Sequence, residues 1–230
     1  MREKRKMWSP PKQKNRIFIA VAMVVSAMAS PALAEDYRPK AGDISVRTGP
    51  VGILFDSSAK FKVLGTDLPG ANLHASDGLT LSFEAEVYVV PEVSLTLTLG
   101  IPPTTDVDGR GILDPVGKLG SVRYGLGGVL AKYHLNQSSP FQPFVGAGVA
   151  HFVSFKEKDA AVSNLNVDGS WGPMVQGGAE YMLDSHIGIY ASISYAWMKT
   201  DGSGVYGGAP LTADVTLNPT AVQGGMLFRF

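Results

Sequence analysis

The chain has 230 residues, with 20 basic and 20 acidic side chains and a formal charge of zero; residues 1–34 hold seven of the bases and one acid, leaving 13 against 19, a net of −6, over residues 35–230. An acidic remainder lacks the basic face that a nucleic-acid binder needs to neutralise phosphates, so nucleic acid is excluded as a partner. The absence of cysteine excludes disulfide frameworks, thiolate metal sites and thiol nucleophiles.

The first predicted element is a leader. After the basic stretch, residues 17–29 are apolar apart from Ser26, and Ser30-Pro31-Ala32-Leu33-Ala34 follows. This basic, apolar, small-x-small order predicts a secretory signal peptide over residues 1–34, cleaved between Ala34 and Glu35. A run of about thirteen apolar residues is too short for a spanning helix, which needs about twenty.

The rest of the chain alternates with period two, the signature of strands with two unlike faces. The first predicted strand, residues 43–55, sets Ile44, Val46 and Thr48 against Ser45, Arg47 and Gly49, and its apolar phase shifts after Pro50, as a bulge would require. Residues 78–90 place Leu79, Leu81, Phe83, Ala85, Val87 and Val89 opposite Glu84 and Glu86. Pro91-Glu92 makes a tight turn, and Val93, Leu95, Leu97, Leu99 and Ile101 continue the pattern. Residues 121–135 set Val122, Tyr124 and Leu126 against Arg123, with a phase change at Gly127-Gly128 before Val129, Ala131, Tyr133 and Leu135 oppose Lys132 and His134. Residues 143–155, 171–183 and 187–199 supply three more strands, the second with Gln176 and Glu180 on its polar face. The last predicted strand, residues 211–230, shifts phase near Pro219 and ends with Phe228 and Phe230 opposite Arg229.

These are eight strands, with long and short gaps in strict alternation. That pattern predicts an all-β fold, an eight-stranded antiparallel transmembrane β-barrel with long extracellular loops and short periplasmic turns. In a membrane barrel the apolar face meets lipid and the lumen is polar; in a soluble lipocalin-like barrel the apolar face fills the inside. The polar face here is rich in Gly, Ser and Thr with isolated charges, which predicts a lumen network of Arg47, Glu84, Glu86, Arg123, Lys132 and Glu180. Aromatic residues near strand ends fit interfacial girdles. The soluble alternative explains neither the leader nor the terminal aromatic residue.

The segment Phe141-Gln142-Pro143-Phe144-Val145-Gly146-Ala147-Gly148-Val149 resembles R-P-Y-V-G-A-G-I of the OmpW/AlkL family of small outer-membrane barrels. Ser170-Trp171-Gly172, with Gln176 and Gly178, resembles that family's S-W-G-x-x-x-Q-x-G strand. Val215-Thr216-Leu217-Asn218-Pro219 and Phe228-Arg229-Phe230 resemble its V-x-L-D-P and aromatic-Arg-Phe ending. The order and spacing of these segments cover essentially the whole mature chain. It departs from the family pattern at Asn218, where Asp is usual, and at Pro103, where an aromatic is usual.

The resemblance implies an outer-membrane channel for small hydrophobic molecules, with lateral release into the outer leaflet. It marks Pro102 as a candidate lateral opening, since proline supplies no N–H to the ladder; a simple strand end is the alternative. Trp171 and Met174 become candidates for the channel wall or floor, an interfacial position being the alternative for Trp171. The long gaps carry Phe61, Leu64, Leu68, Leu73, Ile112, Leu113 and Leu165, which either line an entry funnel or pack into a cap. Phe230 resembles the signal that outer-membrane barrels present to the assembly machinery, or is an ordinary strand end in lipid.

An eight-stranded barrel can also be an enzyme, and a hydrolase needs a His within reach of a Ser and a carboxylate. His74, His134, His151 and His186 are scattered, and no two share a spacing suited to a metal. The expectation is a channel, not an enzyme, with no cofactor or metal, whose partners are outer-membrane lipid, small apolar solutes and the assembly machinery. The main rival is a structural or surface-interaction barrel without transport.

Overall fold

The computed structural model describes residues 38–230; the predicted leader and its cleavage site lie outside the described residues. In chain order the strands are β1 (Ile44–Phe55), β2 (Ser58–Val63), β3 (Thr66–Asp67), β4 (Ala71–Ala75), β5 (Gly78–Val90), β6 (Val93–Gly100) and β7 (Thr104–Gly111). A single 3-10 turn at Asp114–Val116 leads into β8 (Lys118–His134), β9 (Phe141–Asp159), β10 (Ser163–Val167), β11 (Ser170–Met182) and β12 (Ile187–Ala196). The chain ends with β13 (Lys199–Tyr206), β14 (Ala209–Thr216) and β15 (Pro219–Arg229).

Eight of these form the barrel, in the hydrogen-bonded order β8, β6, β5, β1, β15, β12, β11, β9, and the pairing of β9 with β8 closes it. Every wall pairing is antiparallel. Closure leaves no free wall edge, the condition for burying backbone polar groups in lipid. Three short connections occupy one end, and in the longest of them, between β8 and β9, Asn136 adopts a left-handed conformation at φ 55°.

The outer band is aliphatic. Leu81, Phe83, Val87, Leu95, Leu97, Val129, Val145, Val149 and Ile193 are each more than two-fifths exposed. These positions alternate with buried ones along β5, β6, β8, β9 and β12, so the predicted lipid face is the observed one. Gly49 and Gly225 face each other where β1 meets β15. A Cβ at Gly49 would stand 2.1 Å from the Gly224 carbonyl oxygen, and one at Gly225 the same distance from that of Thr48, so only glycine fits this seam.

Three expectations are corrected. First, β1 shows no bulge at Pro50: its registers with β5 and β15 run unbroken through that point, and odd residues stay inside from Ser45 to Phe55. Likewise β8 keeps even residues inside from Val122 to His134, with no change at Gly127-Gly128. The apparent phase shifts are changes in what fills the lumen, from charged below to apolar above, while the backbone alternation continues.

Second, the predicted final strand is two. β14 ends at Thr216, Asn218 takes a positive φ of 30°, and β15 begins at Pro219. Asn218 Oδ1 there accepts a hydrogen bond from the Met198 N–H at 3.1 Å. Third, the long gaps are not plain loops. They hold a five-stranded sheet in the order β10, β13, β14, β2, β3, while β4 and β7 extend the β8 side of the wall.

Candidate functional site

The lumen has two levels of opposite chemistry. At the lower level Arg47, on β1, contacts the carboxylates of Glu180 and Glu86 and lies 3.7 Å from Glu84. Lys132 Nζ lies 2.8 Å from Glu84 Oε2, and Arg229 reaches Glu180 at 3.4 Å. Gln176, Gln223 and Thr98 all donate to Glu84 Oε1, at 3.0, 2.7 and 3.2 Å. Phe144 is packed beneath the cations, its ring centroid 4.7 Å from Lys132 Nζ. Three carboxylates therefore face three cations, with the side chains of Arg47, Glu84, Glu86, Lys132 and Glu180 shut off from solvent.

This floor resists opening. Removing one member of a buried ion pair costs about 3–5 kcal/mol, because the partner charge is left without compensation.

Arg123 is not part of the network. It points outward and is exposed, because β8 keeps one parity throughout. Arg229, His134, Gln142, Gln176, Gln223 and Tyr88 do belong to the buried polar level. For Arg229 the signal was in the sequence: alternation sets it opposite Phe228 and Phe230.

Ser94, His134 and Glu86 form a cluster that resembles a hydrolytic triad in composition alone. Ser94 Oγ and Glu86 Oε1 both lie 2.9 Å from the same ring nitrogen, His134 Nε2. A working triad uses the two nitrogens separately, one toward the nucleophile and one toward the carboxylate. The cluster is also buried, so no substrate carbonyl reaches it.

The upper level is apolar and contains two cavities. The outer one, about 80 Å³, is lined by Phe55, Phe61, Leu73, Val122, Phe152, Leu165 and Leu217 among others. The inner one, about 50 Å³, rests on Gln176 and Gln223 and is walled by Val51, Ile53, Ala150, Met174 and Ala196. An aromatic septum lies between them. Phe55 and Tyr124 meet edge to face at 5.5 Å, and Tyr124 stacks on Phe152 at 5.6 Å.

The inner cavity also touches a break in the wall. β6 pairs with β8 as far as Thr98 opposite Gly128. Pairing resumes on the β7 side, where the Tyr124 N–H donates to the Pro103 carbonyl at 3.0 Å and Thr104 stands opposite Arg123. Residues 99–102 lie in the interval, opposite Gly125, Leu126 and Gly127. Leu99, Gly100, Leu126 and Gly127, which flank the break, line the inner cavity.

The predicted funnel residues divide. Phe61, Leu73 and Leu165 line the outer cavity, Met174 lines the inner one, and Leu113 and Leu68 pack in or against the surrounding core. Leu64 and Ile112 are 72% and 53% exposed and stand on the surface, away from both cavities. Trp171 is 66% exposed on the outer face, stacked on His151 at 4.1 Å, and lines neither of these cavities. Its odd position in β11 opposes the inward Met174 and Gln176.

A closed eight-stranded antiparallel barrel, aliphatic outside and ion-paired within, defines an integral outer-membrane protein. The OmpW family model matches residues 40–230, and the chain belongs to that family. It is 32% identical over 203 residues to the dibenzothiophene metabolism operon protein PahQ of Pseudomonas aeruginosa, covering 87% of this chain and 92% of the relative. Outer membrane protein AlkL of Ectopseudomonas oleovorans is 25% identical over 166 residues, 72% of each chain. The crystal structure of the outer membrane protein OprG from Pseudomonas aeruginosa superposes with a TM-score of 0.80 at 25% identity, covering 84% of this chain and 98% of that one. These relatives are outer-membrane or operon proteins, and none bears an enzyme's name.

Proposed function

We propose that the protein is a passive channel for small hydrophobic molecules, which enter from the extracellular end and leave sideways into the outer leaflet near Pro102. The observation that carries this reading is the adjacency of the inner apolar cavity to the break between β6 and β8. The name of the PahQ relative, which places it in a dibenzothiophene metabolism operon, agrees with an apolar aromatic solute.

Relative costs favour the direction. An aromatic pair contributes about 0.5–1.5 kcal/mol beyond its area burial, and a solute that replaces the contact restores part of it. Opening the charged floor costs about 3–5 kcal/mol for each partner lost. A solute that gains about 25 cal/mol per Å² of buried apolar surface therefore displaces the septum and meets a barrier beneath the inner cavity. The wall break is the remaining exit. Pro102 has no N–H with which to close it.

Residues 1–34 serve as the export leader in this reading, cleaved before Glu35. Phe230, 74% exposed at the end of β15, presents the assembly signal. Uptake of an apolar aromatic compound by cells with and without the gene tests the proposal. Faster uptake with the gene is expected; equal uptake favours a surface-interaction barrel.

A further inference from the structure

We propose that the outer face of the β8–β9 hairpin, immediately above the lipid band, binds the phosphates of an outer-leaflet glycolipid through Arg123, Lys156 and Lys158. Arg123 and Lys156 are directly opposite in register, and Lys158 stands opposite Ser121, one repeat further up the same face. All three are exposed. Like charges directly opposite on paired strands repel, and an anion between them relieves that repulsion.

No carboxylate among the described residues supplies it. Glu157 belongs to the other face, opposite the inward Val122, and accepts a hydrogen bond from Ser154 at 2.5 Å. The Asp159 carboxylate accepts the Asn164 and Leu165 N–H groups at 2.8 and 3.1 Å. Asp106 is held by Lys118 at 2.8 Å and by Ser121 at 3.0 Å. Among the described residues, Arg123, Lys156 and Lys158 make no ion pair.

Height on the wall identifies the anion as a lipid headgroup. An apolar band about 25 Å tall takes about ten residues of a tilted strand. Counting up from the lower turn, Leu135 to Gly125 and, opposite them, Pro143 to Val153 fill it. Phe155 is 58% exposed and its ring covers Gly125, where a Cβ would stand 2.7 Å from Cε2. The His151–Trp171 stack marks the same rim. Arg123 and Lys156 come next, at headgroup level, where each cation adds attraction to an anionic lipid. Arg123 offers a fork that matches phosphate oxygens.

The test uses the folded full-length barrel in neutral detergent, with diphosphoryl lipid A, the same lipid with both phosphates removed, and inorganic phosphate as probes. Native mass spectrometry should show the wild type holding diphosphoryl lipid A roughly tenfold or more tighter than the dephosphorylated form. The variant R123Q/K156Q/K158Q should lose that preference, and K156Q and K158Q singly should each lose part of it, which keeps the test readable if the triple variant folds poorly. Equal retention of the two lipids by the wild type, or an undiminished preference in the variants, overturns the proposal. Inorganic phosphate that binds as tightly as the diphosphoryl lipid overturns it too, because the site would then be a simple anion site.

Discussion

Phe55, on β1, and Tyr124, on β8, meet edge to face across the lumen with ring centroids 5.5 Å apart and planes at 71°. The outer cavity lies on one side of this contact and the inner on the other, so in the proposed channel the pair would set the size of solute that passes. Phe55→Leu keeps most of the buried apolar volume and should cost under about 1.5 kcal/mol of stability. We expect it to raise the uptake of tricyclic solutes relative to monocyclic ones in a competition assay; an unchanged ratio means the septum does not select.

The charged floor should behave as a structural plug. Arg47→Met strands Glu86 and Glu180 in a buried lumen and should cost about 3–5 kcal/mol in urea unfolding of the barrel. Replacing Arg47 and Glu180 together by Met should recover part of that loss, because fewer charges are then left without a partner. Additive losses would show that the two residues are not energetically coupled.

Much of this was legible in the sequence, and the failures have one cause. Eight spanning strands, their outward faces and the inward Arg47, Glu84, Glu86, Lys132 and Glu180 follow from period-two alternation. The reading that every apolar run meets lipid fails in the upper half, where Val51, Ile53, Phe55, Val122 and Tyr124 are apolar and inside. That inversion mimics a bulge at Pro50 and a phase change at Gly127-Gly128, and it moved Arg123 to the wrong side. The strands of the five-stranded sheet were missed because β2, β10 and β13 are short, or rich in Gly, Ser and Asn. Their apolar partners sit far away in sequence.

Trp171 and Met174 stand three residues apart in β11 and therefore on opposite faces. Trp171→Ala should leave solute uptake unchanged at equal amounts of folded barrel. Met174→Lys should abolish most of it, by placing a charge beside Gln176 in the inner cavity. The converse pattern in the same uptake assay would return Trp171 to the channel.

At the lower end, the Asp184 carboxylate accepts the backbone N–H groups of His186 and Ile187, each at 2.7 Å, which holds its pKa below the usual aspartate range. The stabilisation of this turn is complete above the ordinary aspartate pKa of about 3.9 and is lost as pH falls through the depressed value. Hydrogen exchange at the Ile187 amide should show wild-type protection at neutral pH that D184N lacks, with the difference closing in acid. Equal protection in both proteins at neutral pH would contradict this.

The lateral exit is the central claim, and Pro102 is its most direct probe. Pro102→Val restores an N–H where the wall is interrupted and leaves both cavities in place. Uptake of a dibenzothiophene-sized apolar solute should be measured in cells carrying equal amounts of folded wild-type or variant barrel. Uptake by the variant should fall toward that of cells lacking the gene. Uptake at the wild-type rate, with the barrel fully assembled, would contradict the exit through this wall.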